Sequence, residues 1–455
     1  MNAPCRGAVF VSGLLALGLS PRSPANPTFI RIADSGTLIP GSEQRFFLLA
    51  TPSIDGEDVA FADRRLIGGG IVTTGIYKYV DGALQTVADR DTPIPGGTGT
   101  FAFFRSEVSI SSGSVAFVGH GASGHEGIYT DHDGLSIVAD SSTPIPGGSG
   151  DFSELRGIWL DQANVAFWGQ SASGACGIYL FDNGSLSCIV DADTLIPPND
   201  IESFTLVMFP ALCGERVAFH GAAGYGASGG IYLHDHGSLT CIADDDTPIP
   251  EGSGTFIANG FGNPSVDHGG DIQFNAAGAS DQHGVYRCVG GTLEKVVDRP
   301  PHLPGFKKRV TGFGGAGFDD DVAVFTVQCC GSPVGWDAAV YVDVRGHPCR
   351  IIGAGDTIEG RTVWQARVGR QCVSGQRIAF WISYDQGVAY ANYVACFYPG
   401  DLDGDRDVDI ADLAELLGHF GGHGARTEGD INGDGRIDAI DLEILLTHYG
   451  VTWPE

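Results

Sequence analysis

Two stretches near the end of the chain hold the residue types best suited to chemistry. "DLDGDRDVDIAD" spans Asp401 to Asp412, and "DINGDGRIDAID" spans Asp430 to Asp441. Each puts oxygen-bearing side chains at its first, third, fifth, ninth and twelfth positions. A hard cation such as Ca²⁺ takes about six to eight oxygens at roughly 2.3–2.6 Å, and a loop of alternating carboxylates can wrap one. The expected ligands of the first loop are Asp401, Asp403, Asp405, Asp409 and Asp412, with the backbone carbonyl of Asp407. Those of the second are Asp430, Asn432, Asp434, Asp438 and Asp441, with the carbonyl of Arg436. The ninth position is expected to act through water and the twelfth as a bidentate carboxylate, which gives two Ca²⁺ ions in all.

Something must hold each loop in shape. Leu413, Leu416, Leu417 and Phe420 follow the first loop at i, i+3, i+4 and i+7, and Leu442, Leu445, Leu446 and Tyr449 repeat the pattern after the second. Each set predicts a helix with one apolar stripe, so that the two halves can pack together. Gly421 and Gly450 are the expected stops. Nothing helical precedes either loop; "FYPG" leads into the first.

Two loop–helix halves 29 residues apart resemble a type I dockerin over residues 399–450. EF-hands differ in having an entering helix and usually a Glu at the twelfth position, and thrombospondin-type calcium repeats lack the helices. The resemblance implies docking onto a cohesin-like domain, often within polysaccharide-degrading complexes. The family's contact residues follow the ninth loop position, which here are Ile410-Ala411 and Ala439-Ile440. Many dockerins carry hydroxyl pairs there, so this chain implies a partner with an apolar surface, or a module that caps the protein or joins it to itself.

The preceding part of the chain is repetitive. "VAFVGHGASGHEGIYTDHDGLSIVADSSTPIPGG" (Val115 to Gly148) is followed by "VAFWGQSASGACGIYLFDNGSLSCIVDADTLIPP" (Val165 to Pro198). The first pattern recurs at Val59, Val115, Val165, Val217, Ile272, Ala323 and Ile378, and "GIY" or a variant recurs at Ile76, Ile128, Ile178, Ile231, Val285, Val340 and Val388. A third pattern ends in "VAD" or a relative, and an apolar patch such as "VSI" at 108–110 precedes each unit. Four short strands per unit and seven units at a period in the low fifties predict a mainly β fold, a seven-bladed β-propeller over residues 29–398. A lone outer-type strand, "FIRIAD" (Phe29 to Asp34), can pair with the last unit, which lacks one, and close the ring. The repeats resemble an uncharacterised family of bacterial secreted repeat proteins, and the resemblance implies no activity.

The segment "TPIP" before each Gly-Gly is expected to be an extended, polyproline-like strut crossing from one blade's outer strand to the next blade's inner strand. The Asp ending each outer strand, as at Asp89 and Asp140, is expected to accept hydrogen bonds from the following turn. His120, His125 and Glu126 fall in the Gly-Ala-Ser-Gly loop at 119–127, which reads as a loop before it reads as a metal site.

Composition narrows the function. The net charge is −29, which repels nucleic acid. Residues 8–19 are apolar after Arg6 and too short for an ordinary transmembrane span, so residues 1–25 read as a secretory signal peptide and the protein as secreted or surface-attached. Of eleven cysteines, ten would follow that signal, an even number that permits disulfides. No phosphate loop is present, and catalytic residues stay unassigned. The leading expectation is a secreted, non-catalytic propeller that binds a surface or glycan and is attached through its dockerin. The alternatives are a dockerin-bearing glycoside hydrolase or lyase, and a structural envelope protein.

Overall fold

The computed structural model describes residues 27–453 apart from 199–200, 225–227, 280–281, 300–302, 307, 320–321, 330–336, 345 and 386. The signal read at residues 1–25 and Cys330 lie outside the described residues.

The chain is mainly β, built from groups of four antiparallel strands, with two helices at its C-terminal end. One group comprises Phe152–Asp161, Asn164–Ser171, Cys176–Asp182 and Ser185–Val190, in that spatial order. Groups beginning with Leu206–Cys213, Ser265–Val266 and Val310–Asp319 follow the same order. Two earlier groups, beginning with Ser53–Asp55 and Phe101–Ser111, merge into one larger sheet where Thr73 pairs with Phe104. The final group, Arg361–Ser374, Arg377–Tyr384 and Ala389–Cys396, takes its outer strand from Thr28–Asp34, with Thr28 opposite Cys396 and Asp34 opposite Ala391. First strands of successive groups pack side by side. Arg361–Ser374 packs against both Val310–Asp319 and Ser53–Asp55, so the series returns to its start.

The repeated motifs are explained by one aromatic cluster per group. A Phe at or just before the start of the first strand meets the Tyr of "GIY" edge-on, and the Phe of "VAF" stacks on that Tyr. Ring separations are 4.9 and 5.7 Å for Phe101, Tyr129 and Phe117, and the same for Phe204, Tyr232 and Phe219. All six rings are buried, and each such pair adds about 0.5–1.5 kcal/mol beyond area burial. The cluster also demands glycine: a Cβ at Gly119 or Gly169 would lie 2.5 Å from the ring of Phe101 or Phe152.

The expected strut is not formed. Phe101 N donates to Thr92 O at 3.2 Å, Ile94 N donates to Gly99 O at 3.1 Å, and Pro93 bridges Thr100. The segment is a closed loop, because Gly96 and Gly99 adopt positive φ (67° and 81°) and reverse the chain. Its Ile94 is buried and acts as a plug over Gly121 of the next group. The turn role of the Asp residues is as expected: Thr92 Oγ1 and Asp91 N donate to Asp89 Oδ1 at 2.8 and 3.0 Å. The same turn is built on Asp34, Asp140, Asp191 and Asp244.

The disulfides permitted by the cysteine count are not formed at Cys176, Cys188 or Cys241, which carry free thiols on strands. Burial pushes the thiols of Cys188 and Cys241 up to about 12, so they behave as small apolar groups.

Candidate metal centre

The two acidic loops fold alike. In the first, Asp401 accepts from Gly404 N at 2.6 Å and Arg406 N at 3.1 Å; in the second, Asp430 accepts from Asp434 N and Gly435 N, both at 3.0 Å. The twelfth carboxylate closes each loop. Asp412 accepts from Leu402 N (2.6 Å), Asp403 N (3.3 Å) and Asp409 N (2.8 Å). Asp441 does the same with Ile431 N (2.8 Å), Asn432 N (3.1 Å) and Asp438 N (2.9 Å).

The ninth positions hold a role that ligand spacing alone did not reveal. Asp409 caps helix α1 (Ile410–His419) by accepting from Ala411 N at 2.6 Å, and Asp438 caps α2 (Ala439–His448) by accepting from Ile440 N at 2.9 Å. Together with the twelfth residues they form capping boxes, whose sequence signature was available in D-x-x-D.

The helices use only half of the expected stripe. Leu416 and Leu445 are fully buried and Leu413 and Leu442 partly so, whereas Leu417, Phe420, Leu446 and Tyr449 are exposed. Ten-residue helices offer three turns, and Val408, Ile431, Ile437 and Ile444 supply the remaining core. Gly421 and Gly450 end the helices as expected, each at φ 82°. They then cross over: Gly421 N donates to Ile437 O at 2.8 Å and Gly450 N to Val408 O at 2.7 Å. Ile410, Ala411, Ala439 and Ile440 all lie exposed at the helix starts.

The carboxylates of the first loop gather in two groups of three, an arrangement consistent with cation binding. Asp401, Asp403 and Asp405 converge within 4.8 Å, and so do Asp407, Asp409 and Asp412. In the second loop Asn432 and Arg436 stand where the first has acids, and no cluster of three acidic, histidine or cysteine groups gathers there among the described residues. Asp401, Asp412, Asp430 and Asp441 are buried. Burial, with backbone hydrogen bonds opposing it, raises the carboxyls of Asp401 and Asp441 to about 6. Oδ1 of Asp407 is buried without a hydrogen-bond partner. A buried carboxylate is costly unless a proton or a cation neutralises it.

The second half leans on the β part. Arg350 N donates to Asn432 O at 3.1 Å, and the Arg426 guanidinium donates to Ile431 O at 3.0 Å, with its Cζ 5.7 Å from the Phe397 ring. Leu402, Leu416 and Ile437 belong to the same apolar core as Val340 and Phe380.

His120 and His125 do not share a site. His120 faces Glu126 at 3.8 Å and stacks on Phe103, whereas His125 faces Asp140 at 3.4 Å.

Comparison with known proteins places these features. No curated protein matches the chain. Solved structures are similar to the chain at low identity. The SapL1 lectin in complex with alpha methyl fucoside is 12% identical, covering 68% of this chain and 96% of that one, with a TM-score of 0.36. YCF48 from Cyanidioschyzon merolae is 14% identical over 80% and 98%, at 0.39. The uncharacterized protein lmo1340 from Listeria monocytogenes is 9% identical over 78% and 97%, at 0.41. TM-scores this low decide nothing about ligand or activity. Residues 399–448 match the dockerin type I domain. Residues 21–319 match the family of unknown function DUF7453, and the chain belongs to that family.

Proposed function

We propose that this protein is a secreted, non-catalytic seven-bladed β-propeller, surface- or glycan-binding, that is attached to a cohesin-like partner through its calcium-dependent dockerin. In this reading residues 1–25 are a signal peptide, 29–398 the propeller and 399–450 the attachment module. One ion is held by Asp401, Asp403, Asp405, Asp409, Asp412 and the Asp407 carbonyl. The other is held by Asp430, Asn432, Asp434, Asp438, Asp441 and the Arg436 carbonyl.

The observation that carries the reading is the pairing, in both halves, of an acidic loop whose first and twelfth carboxylates are buried with an exposed apolar pair at the start of a helix. Bound calcium supplies the positive charge that the buried carboxylates lack. The chain does the rest: Asp409 and Asp438 fix where α1 and α2 begin, and so orient Ile410-Ala411 and Ala439-Ile440. An apolar pair on a rigid helix start fits a partner with an apolar patch.

The test is retention of the full chain on immobilised cohesin domains of varied surface polarity. Retention is expected on an apolar-faced cohesin in calcium and not in excess chelator. Retention indifferent to chelator would sink the calcium-dependent reading.

A further inference from the structure

The first strands of the β part surround a cavity of about 280 Å³. Regular pleating would point only alternate side chains there, but these strands carry irregularities at one level. Register shifts fall between Phe104 and Val108, Arg156 and Trp159, Met208 and Ala211, Gly314 and Ala316, and Val368 and Val373. Bulges re-aim side chains and recur next to binding sites. Here they bring Glu107, Trp159 and Arg370 to the cavity wall from three strands.

Some of the polar lining is already spent on structure. Gln371 is largely committed: its Oε1 accepts from Ser53 Oγ, Ser109 Oγ and Ile110 N at 2.6, 2.7 and 3.2 Å, and its Nε2 donates to Ile110 O at 2.8 Å. Arg370 spans the opening, pairing with Glu107 at 3.3 Å, reaching the Pro210 carbonyl and lying 5.3 Å from the Trp159 ring. Other capacity is unspent. Nε of Arg370 is buried with no hydrogen-bond partner. Asn263 lines the wall, and Ser106 lies exposed at the rim, where the cavity meets solvent.

We infer that this axial cavity binds one neutral, polyhydroxylated ring, a single sugar unit, through Asn263, Ser106 and the Glu107–Arg370 pair beside Trp159. Three properties select that class. The volume sits just below the roughly 300 Å³ at which small-molecule pockets begin, so one ring, such as the terminal unit of a chain, fits and an internal stretch of chain does not. Glu107 and Arg370 cancel each other's charge, so a net anion or cation would enter with an uncompensated charge. The unspent groups combine a guanidinium donor, an amide that both donates and accepts, and a hydroxyl. This suits vicinal hydroxyls, with the indole offering an apolar edge. The inference rests on the glycan-binding reading of the propeller and narrows it to a site.

The experiment uses the full chain in calcium. Saturation-transfer NMR is run with neutral monosaccharides and N-acetylated sugars, and with a uronic acid and an amino sugar as charged counterparts. A neutral ring is expected to bind better than either charged analogue, and Asn263→Ala to weaken it about tenfold, the value of one lost hydrogen-bonding group. Because Asn263→Ala spares the Arg370 and Gln371 ties, its melting curve should match the parent. Absence of transfer to every neutral ring, or tighter binding of a charged analogue, overturns the inference. In parallel, parent and variant are tested for retention on insoluble polysaccharide. Equal retention of both overturns the axial site while leaving a glycan-binding propeller in place. Loss of retention by the parent, with ring binding intact, fails the polysaccharide reading alone.

Discussion

The two acidic loops share a backbone and differ in circumstance. The first carries an acid at positions one, three, five, seven, nine and twelve; the second replaces the third with Asn432 and the seventh with Arg436. The first turns its fourth and sixth residues through Gly404 and Arg406 (φ 83° and 70°), the second through Gly433 and Gly435 (76° and 90°). The second is also tied to the β part through Asn432, whose carbonyl accepts from Arg350 N, and through Arg426 packed over Phe397. Duplication preserved the backbone hydrogen-bond pattern while charge and support diverged. The more acidic loop stores more repulsion when empty, and the supported loop is held in shape whether or not it is filled.

Calcium removal gives the largest expected effect. An ion bound only by the folded loop stabilises it by about 4 kcal/mol at a concentration a thousandfold above its Kd. In chelator, amides of α1 and the first loop are expected to lose hydrogen-exchange protection first, with the second half protected longer by its ties to Arg350 and Phe397. Simultaneous loss in both halves would show that these ties count for nothing in the empty state. The strands should keep their protection throughout.

Acid should act on module and β part with opposite sign. The Asp401 and Asp441 carboxyls lie near 6 when folded and calcium-free, against about 3.9 unfolded. Between those values the folded state binds more protons, so the empty module loses stability as pH rises from 4 through 6. His220 is the reverse. It is buried without a hydrogen-bond partner on either ring nitrogen, near Phe261, and burial lowers it to about 4. Its contribution is present above about pH 6.5 and is lost on acidification toward 4, a change of about 3 kcal/mol. Thermal melts of the chelated protein across this window, followed by the helix signal for the module and the strand signal for the β part, should diverge, and His220→Leu should flatten only the strand curve.

How much of this was legible follows from range along the chain. The repeated acidic loops, the capping acids and Gly421 or Gly450 act over twelve residues or fewer, so spacing exposes them. The strands were legible for a similar reason, because each repeats one local pattern seven times. The Thr-Pro-Ile-Pro segment was misread because proline marks an extended φ, while Gly96 and Gly99 decide that the chain folds back on itself. The axial cavity was invisible. Glu107 and Arg370 are 263 residues apart, and only bulges in unrelated-looking stretches bring them together. The docking of the second loop was equally hidden, since Arg426 and Phe397 carry no pattern that links them.

A medium effect tests that docking directly. Arg426 joins a charge-assisted bond to the Ile431 carbonyl with packing on Phe397. Arg426→Ala should cost about 2 kcal/mol and make the second half behave like the first in chelator. The measurement is the exchange experiment repeated on the variant, with calcium-loaded melts as the reference.

The smallest effect concerns the one residue that separates the loop backbones. Arg406 occupies the left-handed conformation that Gly435 fills in the second loop, and a residue with a Cβ pays about 1 kcal/mol or more there. Its carbonyl accepts from Trp453 N at 2.8 Å, a bond that does not depend on the side chain. Arg406→Gly should therefore relieve strain in the folded loop while loosening the unfolded chain, for a net gain of under about 1 kcal/mol. It also removes a positive charge beside six acids, which raises repulsion in the empty loop but leaves the filled loop almost unaffected. The variant should then melt slightly higher than the parent in calcium and no higher in chelator. A gain of equal size in both conditions would mean that backbone strain, rather than charge, distinguishes the two loops.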